Sequence, residues 1–280
     1  MEQAVSTITY QINQRIESGK FDVPMLPKVA GSVITMVQDE NSDMSQLAKL
    51  IQQDQALASR LLKIANSPAY CGVNPLNSLQ QAISRMGMKV IAEVALAASV
   101  GAKVFQVKGY EREVTYMWRH SLAASAWAKE IARIRRRNVE SAFMCGLLHQ
   151  IGKPVVFQAI VDLMEEDAVE LKWADIQTII QQFYIAVGVK LGKDWELPGT
   201  VIKSIEFHHQ YEFATTALQE AMICCAANKM ATLLLSDEPI NIEQLMEQDV
   251  IEKLNLYEED LQQLIDMSSD VQQLVEAMSV

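Results

Sequence analysis

The four histidines of this 280-residue chain are the side chains best suited to chemistry: His120, His149 and the adjacent pair His208 and His209. Imidazole near neutral pH can pass a proton or offer a lone pair to a metal. A lone histidine on a helix is usually an interior hydrogen-bonding group or a solvent-facing one. Four of them on three successive predicted helices form a constellation, and their surroundings are small or apolar. Other routes to chemistry are missing from the sequence: it has no GxxxxGK[ST] or GxGxxG phosphate loop and no GxSxG nucleophile elbow. Cys71, Cys145, Cys224 and Cys225 lie in apolar surroundings without a CxxC pair, which predicts buried reduced thiols rather than a disulfide framework or a metal knuckle.

The elements that must position these groups read as helices throughout. Apolar residues recur at three- and four-residue steps, and period-two alternation is nearly absent. Asp43–Gln46, Ser78–Gln81 and Asn241–Gln244 have the form of capping boxes. Asp54 is placed to cap a helix whose apolar stripe is Leu57, Leu61, Leu62 and Ala65. Leu61, Leu62, Ile64 and Ala65 are expected to be buried, with Asn66 closing the helix end and Gly72, Asn74 and Pro75 forming a loop. Val90–Val104 is apolar nearly all round, as a central helix should be. Further helices are predicted over 113–135, 139–150, 175–191, 199–207 and 211–235, with Gly152 as a stop and Pro154 as a fresh start. The fold class is all-α.

Charge narrows the partners. Twelve of the 35 acidic residues but one of the 24 basic residues lie after position 236, so the formal net charge of −11 belongs to the tail and the body is neutral. That balance, with sparse aromatics, argues against nucleic acid or an anionic membrane surface as partner. The apolar runs are broken by charges short of a membrane span, and the N-terminus lacks a leader's apolar stretch, so a cytoplasmic protein is expected. Arg133, Arg135, Arg136 and Arg137 form the one dense basic cluster. It falls at a helix C-terminus, where cations complement the helix dipole. Contact with an anion or a partner through Arg133, Arg136 and Arg137 is the alternative. Between Tyr257 and Met278 an apolar stripe (Leu261, Leu264, Ile265, Val271, Leu274, Val275, Met278) backs an acidic face, predicting a single helix of about 22 residues that needs something to cover. Docking on the body is expected, with a second copy or a partner as alternatives.

The string Gly146-Leu-Leu-His-Gln-Ile-Gly-Lys153 resembles the GLLHDIGK signature of the HD metal-dependent phosphohydrolase superfamily. Leu57–Ser67 and Gln81–Gly87 resemble the two strongest strings of the HDOD domain, and Leu26-Pro27, Trp118–Ser121 and Leu197-Pro198 fit the same pattern. The resemblance covers about residues 22–235. It implies an N-terminal helical bundle (22–106) packed on an HD-like bundle (107–235). A helix over 1–21 precedes them and an acidic helical extension over 236–280 follows.

Carrying over the superfamily's metal positions residue by residue puts the upstream histidine at His120, the dyad at His149 and Gln150, a third imidazole at His208 or His209, and the last ligand near Asn228. Both carboxylates of that pattern are amides here. A hard divalent cation needs anionic oxygens, and Gln and Asn supply none. No metal, no cofactor and no catalysis are therefore expected, although three imidazoles alone suit zinc. The resemblance implies a non-enzymatic signal-transduction module of a bacterial cytoplasm, acting through contact with a separately encoded protein. The alternatives are a residual phosphohydrolase for a nucleotide or cyclic dinucleotide, and a small-ligand sensor.

Overall fold

The computed structural model describes residues 2–279 apart from 20, 22, 39–43, 71–74 and 237–238. Among the described residues there is no strand. The helices run in chain order as α1 (Glu2–Glu17), α2 (Lys28–Gln38), α3 (Met44–Gln52), α4 (Gln55–Ala65), α5 (Leu79–Met86), α6 (Met88–Val104), α7 (Glu111–Ile134) and α8 (Val139–Leu148). They continue as α9 (Gly152–Glu166), α10 (Trp173–Asp194), α11 (Gly199–Phe207), α12 (Leu218–Leu234), α13 (Ile242–Met246), α14 (Asp249–Lys253), α15 (Glu258–Asp266) and α16 (Ser268–Met278).

Helix α6 is the hub of the first bundle. Its residues from Ile91 to Gly101 are all buried, so α2, α3, α4 and α5 can surround it. In the second bundle α7 takes the same role, against α8 and α12, while α9 and α10 pair beside them and α11 bridges α8, α10 and α12. An ion pair between Glu93 of α6 and Lys129 of α7 ties the bundles together. Helix α1 lies on α9 and α10, held at its edge by Arg15 and Glu166 at 3.0 Å. The Trp195 ring donates to Pro24 O at 2.8 Å, joining the Leu26-Pro27 segment to the loop that carries Leu197 and Pro198.

Local rules explain most boundaries. Asp54 accepts from Leu57 N at 3.0 Å and caps α4. At the other end, Asn66 Nδ2 donates to Leu62 O and Leu76 O while its Oδ1 accepts from Leu76 N, so one side chain closes the helix and fixes the returning chain. Ser78 caps α5, but Gln81 accepts from Asn77 N rather than from Ser78 N, so the box closes one residue earlier than expected. Asn241 accepts from Glu243 N. Asp43, Cys71, Gly72 and Asn74 lie outside the described residues.

Some expectations are corrected. Leu61, Ile64 and Ala65 are buried, but Leu62 is only half-buried, because it sits on the flank of the stripe rather than its centre. Leu61→Ala should therefore cost about 2–5 kcal/mol in urea unfolding, and Leu62→Ala clearly less. Equal losses would mean the helix is rotated. The segment predicted as one helix over 211–235 begins with a 3₁₀ turn at Tyr211–Phe213 and becomes α12 only at Leu218, after Ala217 in the left-handed region. Gly152 is no stop signal. It is the first residue of α9, and its reason is packing.

The tail helix is two helices, α15 and α16, broken at Met267. The bend lets both face α7, and α16 also reaches α6, burying Leu261, Leu264, Val271, Val275 and Met278. The Trp118 ring donates to Met278 O at 3.4 Å. Each such apolar side chain is worth about 1.5–3 kcal/mol when buried. Deleting residues 237–280 should then lower the melting temperature by about 10 °C or more, since ~1 kcal/mol moves it by about 2–4 °C at this size. An unchanged melting temperature and solubility would show the tail to be a free appendage.

Within 139–166, where α8 turns into α9, an 18-residue stretch is apolar enough to match a membrane span, yet 83% of it is buried inside the protein. It is a core element.

Candidate functional site

Four helix segments deliver the candidate residues to one place. Helix α7 carries His120 at mid-length, and His149 sits at the end of α8, where the chain turns into α9. His208 caps the end of α11, and Asn228 lies within α12. Ring centroids are 5.6 Å apart for His120 and His149, 5.0 Å for His149 and His208, and 4.2 Å for His208 and His209.

Two glycines of the signature string permit this convergence. A Cβ on Gly146 would stand 2.5 Å from Ala124 O, and one on Gly152 would stand 2.0 Å from Tyr184 O. Backbone meets backbone at both points, so α8 presses on α7 and α9 on α10, with His149 held between the two contacts.

The hydrogen bonds define what each ring can do. His149 Nδ1 donates to Gly146 O at 2.7 Å and His208 Nδ1 to Ile205 O at 2.9 Å. Each Nε2 is then a lone pair. Tyr184 donates to His208 Nε2 at 3.0 Å and accepts from His209 Nε2 at 2.7 Å, a relay running from the surface inward. Thr232 donates to Asn228 O at 3.0 Å, which leaves its oxygen to accept from His120 Nε2 at 3.1 Å.

The Asn228 Oδ1 position is 3.0 Å from both His149 Nε2 and Gln150 Nε2. Side-chain amides can be exchanged end for end without moving a heavy atom. With Nε2 of His149 a lone pair, the donors balance when Asn228 turns its NH2 to His149 and accepts nothing from it, and Gln150 turns its carbonyl to Asn228.

Burial keeps these rings neutral. It drives His120 and His149 down to about 3 and His208 well below its ordinary value. Lys153 adds to the same effect at every histidine, being a positive charge close to all four. Burial also lowers Lys153 itself to about 8. Its Nζ lies 5.0 Å from the Tyr184 ring centroid, and among the described residues no carboxylate pairs with it.

A divalent metal does not fit this donor set. The lone pairs of His149 and His208 face NH and OH donors, Gln150 and Asn228 bring no negative charge, and Lys153 adds a positive one. Among the described residues no three His, Cys, Asp or Glu side chains are grouped closely enough to hold a metal ion. Cys145, Cys224 and Cys225 are buried free thiols, and burial pushes Cys145 up to about 12 and Cys225 to about 11, so none is a thiolate.

The structure thus brings His120, His149, Gln150, His208 and Asn228 together, with His209 at the exposed rim. It does not bring the arginines there. Arg133 pairs with Glu130, Arg135 donates to Asn255 O at 3.2 Å, and Arg136 takes the left-handed position that ends α7, with Arg137 exposed beside it. At 1.5 Å per residue they lie about 20 Å from His120 along the helix.

Sequence reasoning missed Tyr184, Thr232 and Lys153 as members of the site. Lys153 stood inside the signature string, whereas Tyr184 and Thr232 carried no local signal. Outside the cluster opens a cavity of about 660 Å³ lined by His120, Gln150, Lys153, His209 and Asn228, with Arg112, Glu113, Tyr116 and Trp173 among the residues nearer solvent.

Comparison with known proteins agrees with this architecture. The profile of the HDOD domain matches residues 23–211. An uncharacterized protein of Treponema pallidum (strain Nichols) is 24% identical over 248 residues, 84% of this chain and 47% of that protein. The chain therefore spans about half the length of this curated relative. Among solved structures, one provisionally named a metal-dependent phosphohydrolase from Shewanella amazonensis SB2B superposes with a TM-score of 0.75 at 20% identity, covering 99% of both chains. An HDOD domain protein of unknown function from Geobacter sulfurreducens gives 0.70 at 20% identity over 99% of this chain and 97% of its own. A protein from Marinobacter aquaeolei VT8, provisionally named a signal transduction protein, gives 0.70 at 19% identity over 99% and 66%. At these identities the structural matches establish the fold, and the profile match over most of the chain establishes the rest: this protein belongs to the HDOD domain family.

Proposed function

We propose that this chain is a non-enzymatic regulatory module of the HDOD type, working in a bacterial cytoplasm through contact with a separate protein partner. The observation that carries the reading is the hydrogen-bond state of the site. The imidazole lone pairs that would ligate a metal are held by Asn228 and Tyr184, and both carboxylate positions of the superfamily pattern are the amides Gln150 and Asn228. A phosphohydrolase needs a cation to polarise phosphoryl oxygen and to lower the pKa of its attacking water. The lone pairs of His149 and His208 are satisfied internally without one, while the buried His120 Nδ1 has no partner among the described residues.

Regulation by contact suits such a scaffold, because a rigid bundle pair can present a surface with no chemistry at its centre. The names of the Shewanella and Marinobacter neighbours point in two directions, catalysis and signalling, and the donor set favours the second.

The test is direct. Purified protein should hold no stoichiometric manganese, iron, magnesium or zinc, and should turn over no phosphomonoester or phosphodiester in added Mn²⁺. One metal per chain that is lost in His149→Ala, or turnover lost in the same variant, would establish the residual phosphohydrolase instead.

A further inference from the structure

Among the described residues Lys153 has no carboxylate paired with it. It stands at the start of α9, largely shielded from water, on the wall of the 660 Å³ cavity outside the histidine cluster. Shielding an unpaired ammonium from water is costly, and such charges are normally met by an opposite one. Arg112 at the mouth adds a second cation, and among the described residues Glu113 is the sole carboxylate lining the space. Positive charge therefore exceeds negative inside a concave, walled space, where fields act at close range with little screening.

The rim carries a second kind of signal. Tyr116 and Trp173 both line the cavity, and they remain 52% and 39% exposed although large rings prefer the interior. Trp173 is not loose, since its ring lies 5.5 Å from that of Phe157, which fixes one of its edges. A rigid, half-exposed indole beside a cation offers a flat ring a surface to stack on. The volume falls within the range of small-molecule sites, about 300–1,000 Å³.

From these placements we propose that the cavity is a metal-independent binding site for a small organic anion bearing a flat ring. The anion sits on Lys153 and Arg112, and the ring lies against Trp173 and Tyr116. Gln150 and Asn228 at the cavity floor present amide groups for the ligand's polar atoms. The proposal rests on the reading of the site as metal-free and extends it: the lost metal is replaced by a protein cation, so the ligand brings the negative charge that the protein no longer carries. Occupancy would tie α7, α9, α10 and α12 together at one point, since each contributes to the wall.

The experiment is calorimetric titration of the full chain in EDTA with four kinds of probe. Nucleoside monophosphates and an indole carboxylate carry both ring and anion, inorganic phosphate carries the anion alone, and adenosine the ring alone. Binding by at least one ring-bearing anion, at least tenfold tighter than phosphate or adenosine, is the expected result; which ring-bearing probe wins separates phosphate from carboxylate as the anion. Lys153→Gln should weaken that binding at least tenfold while leaving the unliganded melting temperature unchanged or higher, because it removes a half-buried charge that no carboxylate among the described residues pairs with. Should that variant fail to fold, Arg112→Gln and Trp173→Ala, both near the surface, must each weaken binding by at least threefold. The proposal is overturned if no ring-bearing anion binds at 5 mM, if the variants bind as the parent does, or if binding requires Mn²⁺. Turnover with Mn²⁺ would overturn the non-enzymatic reading, whereas absent binding in EDTA would overturn this one alone.

Discussion

Lowering the pH from 7 to 5 should remove most of the protein's stability, with the uptake of about three protons on unfolding. His120 and His149 are held down to about 3, and His208 lies well below its usual value, in each case first because burial penalises the charged ring. In the unfolded chain each titrates near 6.5. Above that value both states are neutral and the pH has no effect through these groups. Below it the unfolded chain takes up protons that the folded site refuses, so stability falls as pH falls, for His120 and His149 down towards about 3. Each ring contributes a slope of up to about 1.4 kcal/mol per pH unit, and three give about 4. From pH 6.5 to 5 the loss is then about 5 kcal/mol, comparable to the whole stability of a typical domain. Urea unfolding at pH 7, 6 and 5 measures it directly. A slope of less than one proton between pH 6 and 5 would mean the rings are already charged, and the assigned lone pairs at His149 and His208 would be wrong.

Gly152→Ala should be among the most damaging single substitutions in the molecule, either preventing soluble expression or costing more than about 4 kcal/mol. The added methyl would sit 2.0 Å from Tyr184 O and 2.7 Å from Gly188 N, both backbone atoms of α10. A side-chain clash can be relieved by a rotamer change, but here a whole helix must retreat, and packed interiors do not yield by that much without losing contacts elsewhere. Moving α9 from α10 would also shift His149 and the Tyr184 relay together. Gly199→Ala provides the control, since nothing stands within 4 Å of its added methyl, and it should change stability by well under 1 kcal/mol. If Gly152→Ala melted within a few degrees of the parent, the helix pair would not be packed as described.

The sequence by itself determined the class and most of the helix map. Three- and four-residue apolar spacing and the caps at Asp54, Ser78 and Asn241 act within a few residues, so they are legible without a fold. It showed too that position 150 of the signature-like string is a glutamine where the resembled pattern has an aspartate. The family strings placed His120, His149 and Asn228 on one site.

What only the tertiary structure decided depends on contacts between distant segments. The break at Met267 follows from wrapping the tail over α7, which no local pattern announces, since one straight stripe and two bent ones read alike in sequence. Leu62 shares the apolar character of Leu61 and differs only in the angle at which α4 meets its neighbours. Gly152 looked like a helix stop because glycine has that local use, but its cause lies in Tyr184 and Gly188, more than 30 positions away. The same holds for the site. Which imidazole nitrogens donate and which accept, and that no carboxylate among the described residues pairs with Lys153, are properties of four helices meeting at one place, fixed by close packing rather than by local preference.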